Sequence, residues 1–268
     1  MNKIHLLDNG LINKIAAGEV VERPASVVKE LMENSIDAGA TSITVEIAEG
    51  GTSVIKITDN GKGIPKDEIR TAFMRHATSK IDSFEDLENV LTLGFRGEAL
   101  SSIASVAQVE MLTRTENDSM GTRIVINGGV VDREEECAAN VGTVFYVKNI
   151  FFNTPARRKF LKKPATEGSY ISEIVNRIAL GHPNIAIKYI NNGNIVLQTN
   201  GDGNVKNSLF YIYGKDIASK MLNLESEKEG YILKGLVGKP ELSRGNRNYE
   251  NFFINGRFIK STLVQNAV

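Results

Sequence analysis

The chain has 268 residues, 41% hydrophobic and 24% charged, with 32 Lys+Arg against 32 Asp+Glu. That is an ordinary globular composition, enough for a real core in one large or two ordinary domains. The single Cys137 excludes a disulfide framework and any multi-cysteine metal site. With no signal peptide and no apolar run of bilayer length, the expected location is the cytoplasm, without membrane contact.

The zero net charge is unevenly spread: residues 1–150 carry 15 Lys+Arg and 23 Asp+Glu, a balance of −8, and the rest carry 17 and 9, a balance of +8. Two readings stand, a second half that meets a polyanion or charges that keep two lobes soluble. Near the start, Leu11, Ile12, Ile15 and Ala16 form a short apolar-periodic piece that Gly18 is predicted to cut off. It is too short to be stable alone and must dock on something.

Pro24 and Ser26 suit a helix start and Gly39 its end, which predicts a helix of about fourteen residues. At about 100° per residue, Glu30, Asn34 and Asp37 fall on one narrow stripe, while Val27, Val28, Leu31, Met32 and Ile36 sweep round the apolar flank. SITVEIA and SVIKIT alternate with period two and are joined at Gly50-Gly51, a predicted hairpin whose second strand runs into DNGKGIP. There Asp59 offers an acceptor at a strand end, beside backbone at Gly61 and Gly63 that a flat ligand can approach closely. Taken singly, these pieces also read as a solvated helix face and a plain loop.

After Pro65 come two short helical pieces separated by Ala77-Thr78-Ser79-Lys80, then a turn from Gly94 to Gly97 opening another helix. Free N–H groups at a helix N-terminus, with the positive end of its dipole, suit phosphates. Lys80 adds a positive charge and Thr78 and Ser79 add hydroxyls; the long polar connection would make a lid that orders on a ligand. From Val106 to Ile150, QVEMLTRT, GTRIVING, VVDREEECA and GTVFYVKNI read as antiparallel strands. FFNTPARRKFLKKP follows, with Arg157, Arg158, Lys159, Lys162 and Lys163 and no acid. A helix from about Glu167 to Leu180 and strands IAIKYI and NIVLQT complete a first lobe, and TNGDGN at Thr199–Asn204 is the best linker.

E-x-x-x-N-x-x-D-A followed by D-N-G-K-G-I resembles the nucleotide pocket of the GHKL ATPases, and G-F-R-G-E-A-L-S-S-I resembles their MutL mismatch-repair branch. G-E-V-V-E-R-P, A-T-S-K and N-T-P-A-R-R-K-F-L are similar to that branch too, so the likeness covers nearly the whole chain. It implies an α+β fold: a two-layer α/β sandwich of the GHKL (Bergerat) type over residues 1–200, then a ribosomal-S5-like β-α-β domain over 204–268, expected to be incomplete at its C-terminal end. The family's lysine that reaches the γ-phosphate from the second lobe has no identifiable counterpart here.

The resemblance implies Mg²⁺-dependent ATP hydrolysis. Glu30 is then the general base, Asn34 the Mg²⁺ ligand and Asp59 the acceptor of the adenine amine, with Thr143 near the base. Asp37, Ala38, Asn60, Gly61 and Gly63 line the pocket. Thr78, Ser79, Lys80, Gly94, Phe95, Arg96, Gly97, Glu98, Ala99 and Leu100 surround the phosphates. It also implies slow turnover, an N-terminal arm that orders on ATP and joins two copies, and a clamp on DNA that works with a mismatch-recognition protein of the MutS type, nucleoid-associated in a bacterium. Arg157, Arg158, Lys159, Lys162, Lys163, Arg244, Arg247, Arg257 and Lys260 are the candidate DNA contacts, binding without sequence readout. Two other readings are another GHKL enzyme, against which G-F-R-G-E-A-L speaks, and a DNA-binding scaffold using ATP only as a conformational ligand, against which Glu30, Asn34, Asp59 and Gly61 speak.

Overall fold

A computed structural model describes residues 9–80, 92–94 and 97–267. Helix α1 (Asn9–Val20) and helix α2 (Pro24–Asp37) lead into strands β1 (Ser42–Ala48) and β2 (Val54–Asp59). A short helix α3 (Ile69–Ala72) and helix α4 (Ala99–Val106) precede β3 (Gln108–Arg114), β4 (Gly121–Asn127), β5 (Val130–Cys137) and β6 (Gly142–Lys148). Next come α5 (Pro155–Arg158), the long α6 (Pro164–Gly181), β7 (Ala186–Asn191) and β8 (Asn194–Gln198). The expected helical piece beyond Lys80 falls at 81–91, outside the described residues.

These strands form one sheet in the order β5-β4-β3-β6-β2-β1-β7-β8. β1 and β2 pair antiparallel as the hairpin pattern predicts, while β1 and β7 pair parallel, and α6 carries the chain from β6 past β2 and β1 to β7. Alternation assigns the two faces. Ile43, Val45, Ile55, Ile57, Met111 and Ile124 are buried under Val27, Leu31 and Met32 of α2 and Ile171 and Val175 of α6. The opposite face is a polar ladder, with Lys56 on Glu46 at 2.6 Å and Arg123 and Lys148 on Glu110 at 2.8 and 3.1 Å. The fold is thus two layers, helices on one side of a mixed sheet.

Two elements run longer than the residue patterns predict. α6 begins at Pro164, because proline fits a first turn and the Glu167 carboxylate accepts the Lys162 N–H at 2.9 Å. α1 continues through Gly18 to Val20 and packs against α4. Gly18 does not end the helix; it makes room for the Arg157 guanidinium, whose Nη2 lies where a Cβ would stand.

The second lobe comprises α7 (Val205–Tyr213), α8 (Lys215–Ser219), the hairpin β9 (Met221–Lys228) and β10 (Tyr231–Gly238), the hairpin β11 (Phe252–Ile254) and β12 (Arg257–Ile259), and α9 (Thr262–Ala267). Asn204 caps α7 by accepting the Lys206 N–H at 2.9 Å. A small second core gathers Leu180, Leu209 and Ala218 with Phe253 against it.

Candidate functional site

The site is built where the end of β2 meets the polar stripe of α2. Asp59 is 9% exposed, and its Oδ1 accepts the Gly61 N–H at 2.9 Å while Oδ2 accepts the Ser35 hydroxyl at 2.8 Å. Burial pushes the Asp59 carboxyl above its usual range, against those two donors and the Thr143 N–H. Backbone approaches closely beside it. A Cβ on Gly61 would lie 2.9 Å from the Ala38 Cβ, and Lys62 N–H donates to the Ala38 carbonyl at 3.0 Å. Thr143 stands opposite Asp59 in the β2–β6 register, its hydroxyl 3.2 Å from that of Thr113. Gly63 has φ +72 and a Cβ there would run into the Arg114 carbonyl, so only glycine keeps this turn.

Flanking Ser35 on α2, Asn34 and Asp37 gather a second cluster. Lys80 Nζ donates to Asn34 Oδ1 at 3.0 Å and to Asp37 Oδ2 at 2.5 Å. Asp37 also accepts Leu93 N–H at 3.0 Å and Gly94 N–H at 3.1 Å. Gly94 faces this cluster: a Cβ on it would lie 3.3 Å from Lys80 Nζ and 3.7 Å from Asn34 Oδ1. One helical turn earlier, the Glu30 side chain is 24% exposed and accepts from Lys29 Nζ at 3.0 Å. Lys29 also bonds Glu33 at 2.9 Å; burial opposes its charge, and the two carboxylates nonetheless hold its pKa up.

Gly97 has φ +62 and abuts the Ala77 backbone, which sets the turn from which Glu98, Ala99 and Leu100 open α4. Glu98 lies 3.7 Å from Arg75 and 3.4 Å from His76. Thr78 Oγ1 accepts the Lys80 N–H at 3.2 Å, and Ser79 lies between them. Phe95 and Arg96 fall outside the described residues.

The resemblance implies that Asn60 lines the pocket; its side chain bonds to the start of β1. Oδ1 accepts the N–H groups of Thr41 and Ser42 at 2.9 and 2.8 Å and Nδ2 donates to the Thr41 hydroxyl at 2.8 Å, clamping the start of β1. Ser35 was the omission. No local motif marks it, and only the 24-residue separation closed by folding brings it to Asp59.

Among the described residues no group of three or more His, Cys, Asp or Glu could hold a metal. A lone amide oxygen that already faces an ammonium, Asn34 Oδ1, fits a hard cation completed by phosphate oxygens and water, and does not fit zinc. Of the basic candidates, Arg158, Lys159, Lys162, Lys163, Arg244, Arg247, Arg257 and Lys260 are exposed, and Phe160 stands among the first four at 82% exposure. Arg157 is turned inward over the Phe151 ring, 5.7 Å from its centroid, and Arg257 donates to the Leu93 carbonyl at 3.0 Å.

Residues 22–141 match the family of "Histidine kinase-, DNA gyrase B-, and HSP90-like ATPase", and residues 209–268 match "DNA mismatch repair protein, C-terminal domain". The ATPase domain of Aquifex aeolicus MutL, solved with ADP, superposes with TM-score 0.72 at 30% identity over 92% of this chain and 87% of that one. The chain belongs to the MutL family. MutL of Agathobacter rectalis is 56% identical over all 268 residues and MutL of Caldanaerobacter subterraneus 50%. The chain spans 41% and 45% of those two MutL proteins. The two-layer sandwich is therefore the GHKL fold of the MutL ATPase domain, and the lobe after it matches the mismatch-repair C-terminal family model. Among the described residues no helix is long and apolar enough to cross a membrane.

Proposed function

We propose that this chain is the ATP-binding, slowly hydrolysing module of a cytoplasmic mismatch-repair protein, with residues 1–200 holding the nucleotide and 204–268 transmitting its state. The observation that carries the reading is the buried Asp59 carboxylate, oriented by Gly61 and by Ser35 of α2, beside a second cluster in which Asn34 and Asp37 of the same helix meet Lys80 and Gly94. That order matches a molecule with a flat amine-bearing base at one end and phosphates at the other.

Asp59 accepts the adenine exocyclic amine, which guanine replaces with a carbonyl, so ATP is preferred over GTP. Lys80, Gly94 and the start of α4 hold the phosphates; Lys80 leaves Asn34 when they arrive, freeing the amide oxygen for Mg²⁺. Mg²⁺, when bound, offsets phosphate charge. Glu30 takes the proton of the attacking water, and Asn34, one turn on, keeps the phosphate end at the same face of α2. Phosphoryl transfer rests on positioning and charge. Glu30 and Lys80 both begin in ion pairs that must open, which supports slow turnover and a role as a switch.

The switch acts through α1: ATP joins two copies through their N-terminal arms, and the clamp so formed holds DNA through Arg158, Lys159, Lys162, Lys163, Arg244, Arg247 and Lys260, in concert with a mismatch-recognition protein. Exposed Phe160 adds a ring on which a base can stack.

Glu30→Ala tests the chemistry. Radiolabelled-ATP turnover should vanish while binding of a fluorescent ATP analogue persists. Unchanged turnover would remove Glu30 from its role, and absent binding by the unaltered chain would remove the pocket.

A further inference from the structure

The second lobe reaches the Leu93–Gly94 peptide through a side chain whose bond no motif foretells. Arg257, first residue of β12, donates from Nη2 to the Leu93 carbonyl at 3.0 Å, across 164 residues. The same peptide group presents the Gly94 N–H to Asp37 Oδ2 at 3.1 Å. Because a trans peptide sets its C=O and N–H on opposite sides, this plane is clamped between a guanidinium and a carboxylate. A cation at the carbonyl and an anion at the N–H polarise the group in the same sense, so each bond strengthens the other.

The base of Arg257 is equally fixed. The β11–β12 hairpin rests on the C-terminal end of α6: Arg177 stacks over the Phe258 ring at 4.2 Å, and a Cβ on Gly181 would lie 2.9 Å from the Gly256 carbonyl and the Phe253 ring. Phe253 meets Phe258 edge-on at 5.9 Å and packs on the small second core. Burial pushes the Glu33 carboxyl up, and Lys29 and Arg257 both work against it, so Arg257 also favours the charge on α2 next to Asn34.

We infer that Arg257 is a positioning residue that ties the orientation of the Leu93–Gly94 peptide to the placement of the β11–β12 hairpin, so that phosphate arrival at Gly94 is felt in the second lobe. A phosphate that takes the Gly94 N–H from Asp37 turns this peptide plane. Turning it moves the Leu93 carbonyl off the line of the Arg257 bond, and the hairpin is released or follows. The inference rests on the phosphate end lying at Gly94, as proposed above.

Hydrogen exchange on residues 252–260 of the full 268-residue chain, with and without a non-hydrolysable ATP analogue and Mg²⁺, tests it. In the unaltered chain the nucleotide should change exchange in this hairpin. Arg257→Ala should abolish that change while a fluorescent ATP analogue still binds, and Arg257→Lys, which keeps one charged donor, should restore part of it. A variant that merely loosened the hairpin would raise exchange equally in both states. The inference falls if the Arg257→Ala hairpin still responds to nucleotide, or if the unaltered chain binds nucleotide with no response there. Failure of the unaltered chain to bind at all overturns the pocket along with it.

Discussion

The Arg157 guanidinium occupies the space into which a side chain at Gly18 would grow, so α1 is held against the domain by the fit of a glycine on an arginine. Arg157 also covers the Phe151 ring, and its Nη1 is buried with no hydrogen-bond partner among the described residues. Helix propensity alone makes Gly18→Ala stabilising by about 1 kcal/mol. The steric relationship opposes it. In the unaltered background Gly18→Ala should therefore lower the melting temperature or leave it unchanged, whereas in an Arg157→Ala background it should gain about 1 kcal/mol. Thermal melts of the four proteins measure the coupling; additive effects would mean that the two residues do not meet.

Asp59→Asn should separate folding from ligand binding. Burial raises the folded-state pKa of Asp59, so its contribution to stability is present below the unfolded carboxylate range near 4 and is lost as pH rises through the folded value. The ionised form of Asp59 therefore costs the fold stability relative to the protonated form. Asn keeps an oxygen for Gly61 N–H and can donate to Ser35 Oγ, whose own proton then goes to the Leu31 carbonyl, 3.1 Å away. The variant should melt no lower than the unaltered chain without nucleotide, while ATP affinity falls roughly ten- to a hundredfold, as loss of a charged acceptor implies. A clearly lower melting temperature would assign the carboxylate to the fold instead of the ligand.

His182 gives the fold an acid-sensitive point. Burial depresses its pKa, with Asp37 and the Gly256 backbone acting in the other direction. A folded value below the unfolded one means that stability is intact above the ordinary imidazole range near 6.5 and declines as pH falls below it towards the folded value. The loss should follow a slope of at most about 1.4 kcal/mol per pH unit. Denaturant titrations from pH 7.5 to about 5 should show a shallower decline for His182→Asn than for the unaltered chain; equal slopes would place the proton elsewhere.

DNA binding in the presence of a non-hydrolysable ATP analogue should weaken steeply with salt, since phosphates are the expected contacts. Lys162→Glu with Lys163→Glu should flatten the logarithmic salt slope by about two and weaken all duplex sequences alike. A slope that is shallow in the unaltered chain, or untouched in the variant, would move the DNA surface away from this face.

Local pattern determined most of the elements. The α2 span, the β1–β2 hairpin, the four strands after Val106 and the glycine turns follow from apolar period, proline and glycine placement, all of which act within a few residues. The stripe of Glu30, Asn34 and Asp37 is legible for the same reason, because helical spacing alone sets it. Only the tertiary structure decided that Ser35 orients Asp59, that Asn60 turns to β1, that Gly18 makes room for Arg157, and that Arg257 reaches Leu93. Each of these joins residues from 18 to 164 positions apart, or turns on which neighbour a side chain meets once the chain has closed. Composition and spacing specify which groups are available; packing specifies which of them are already taken.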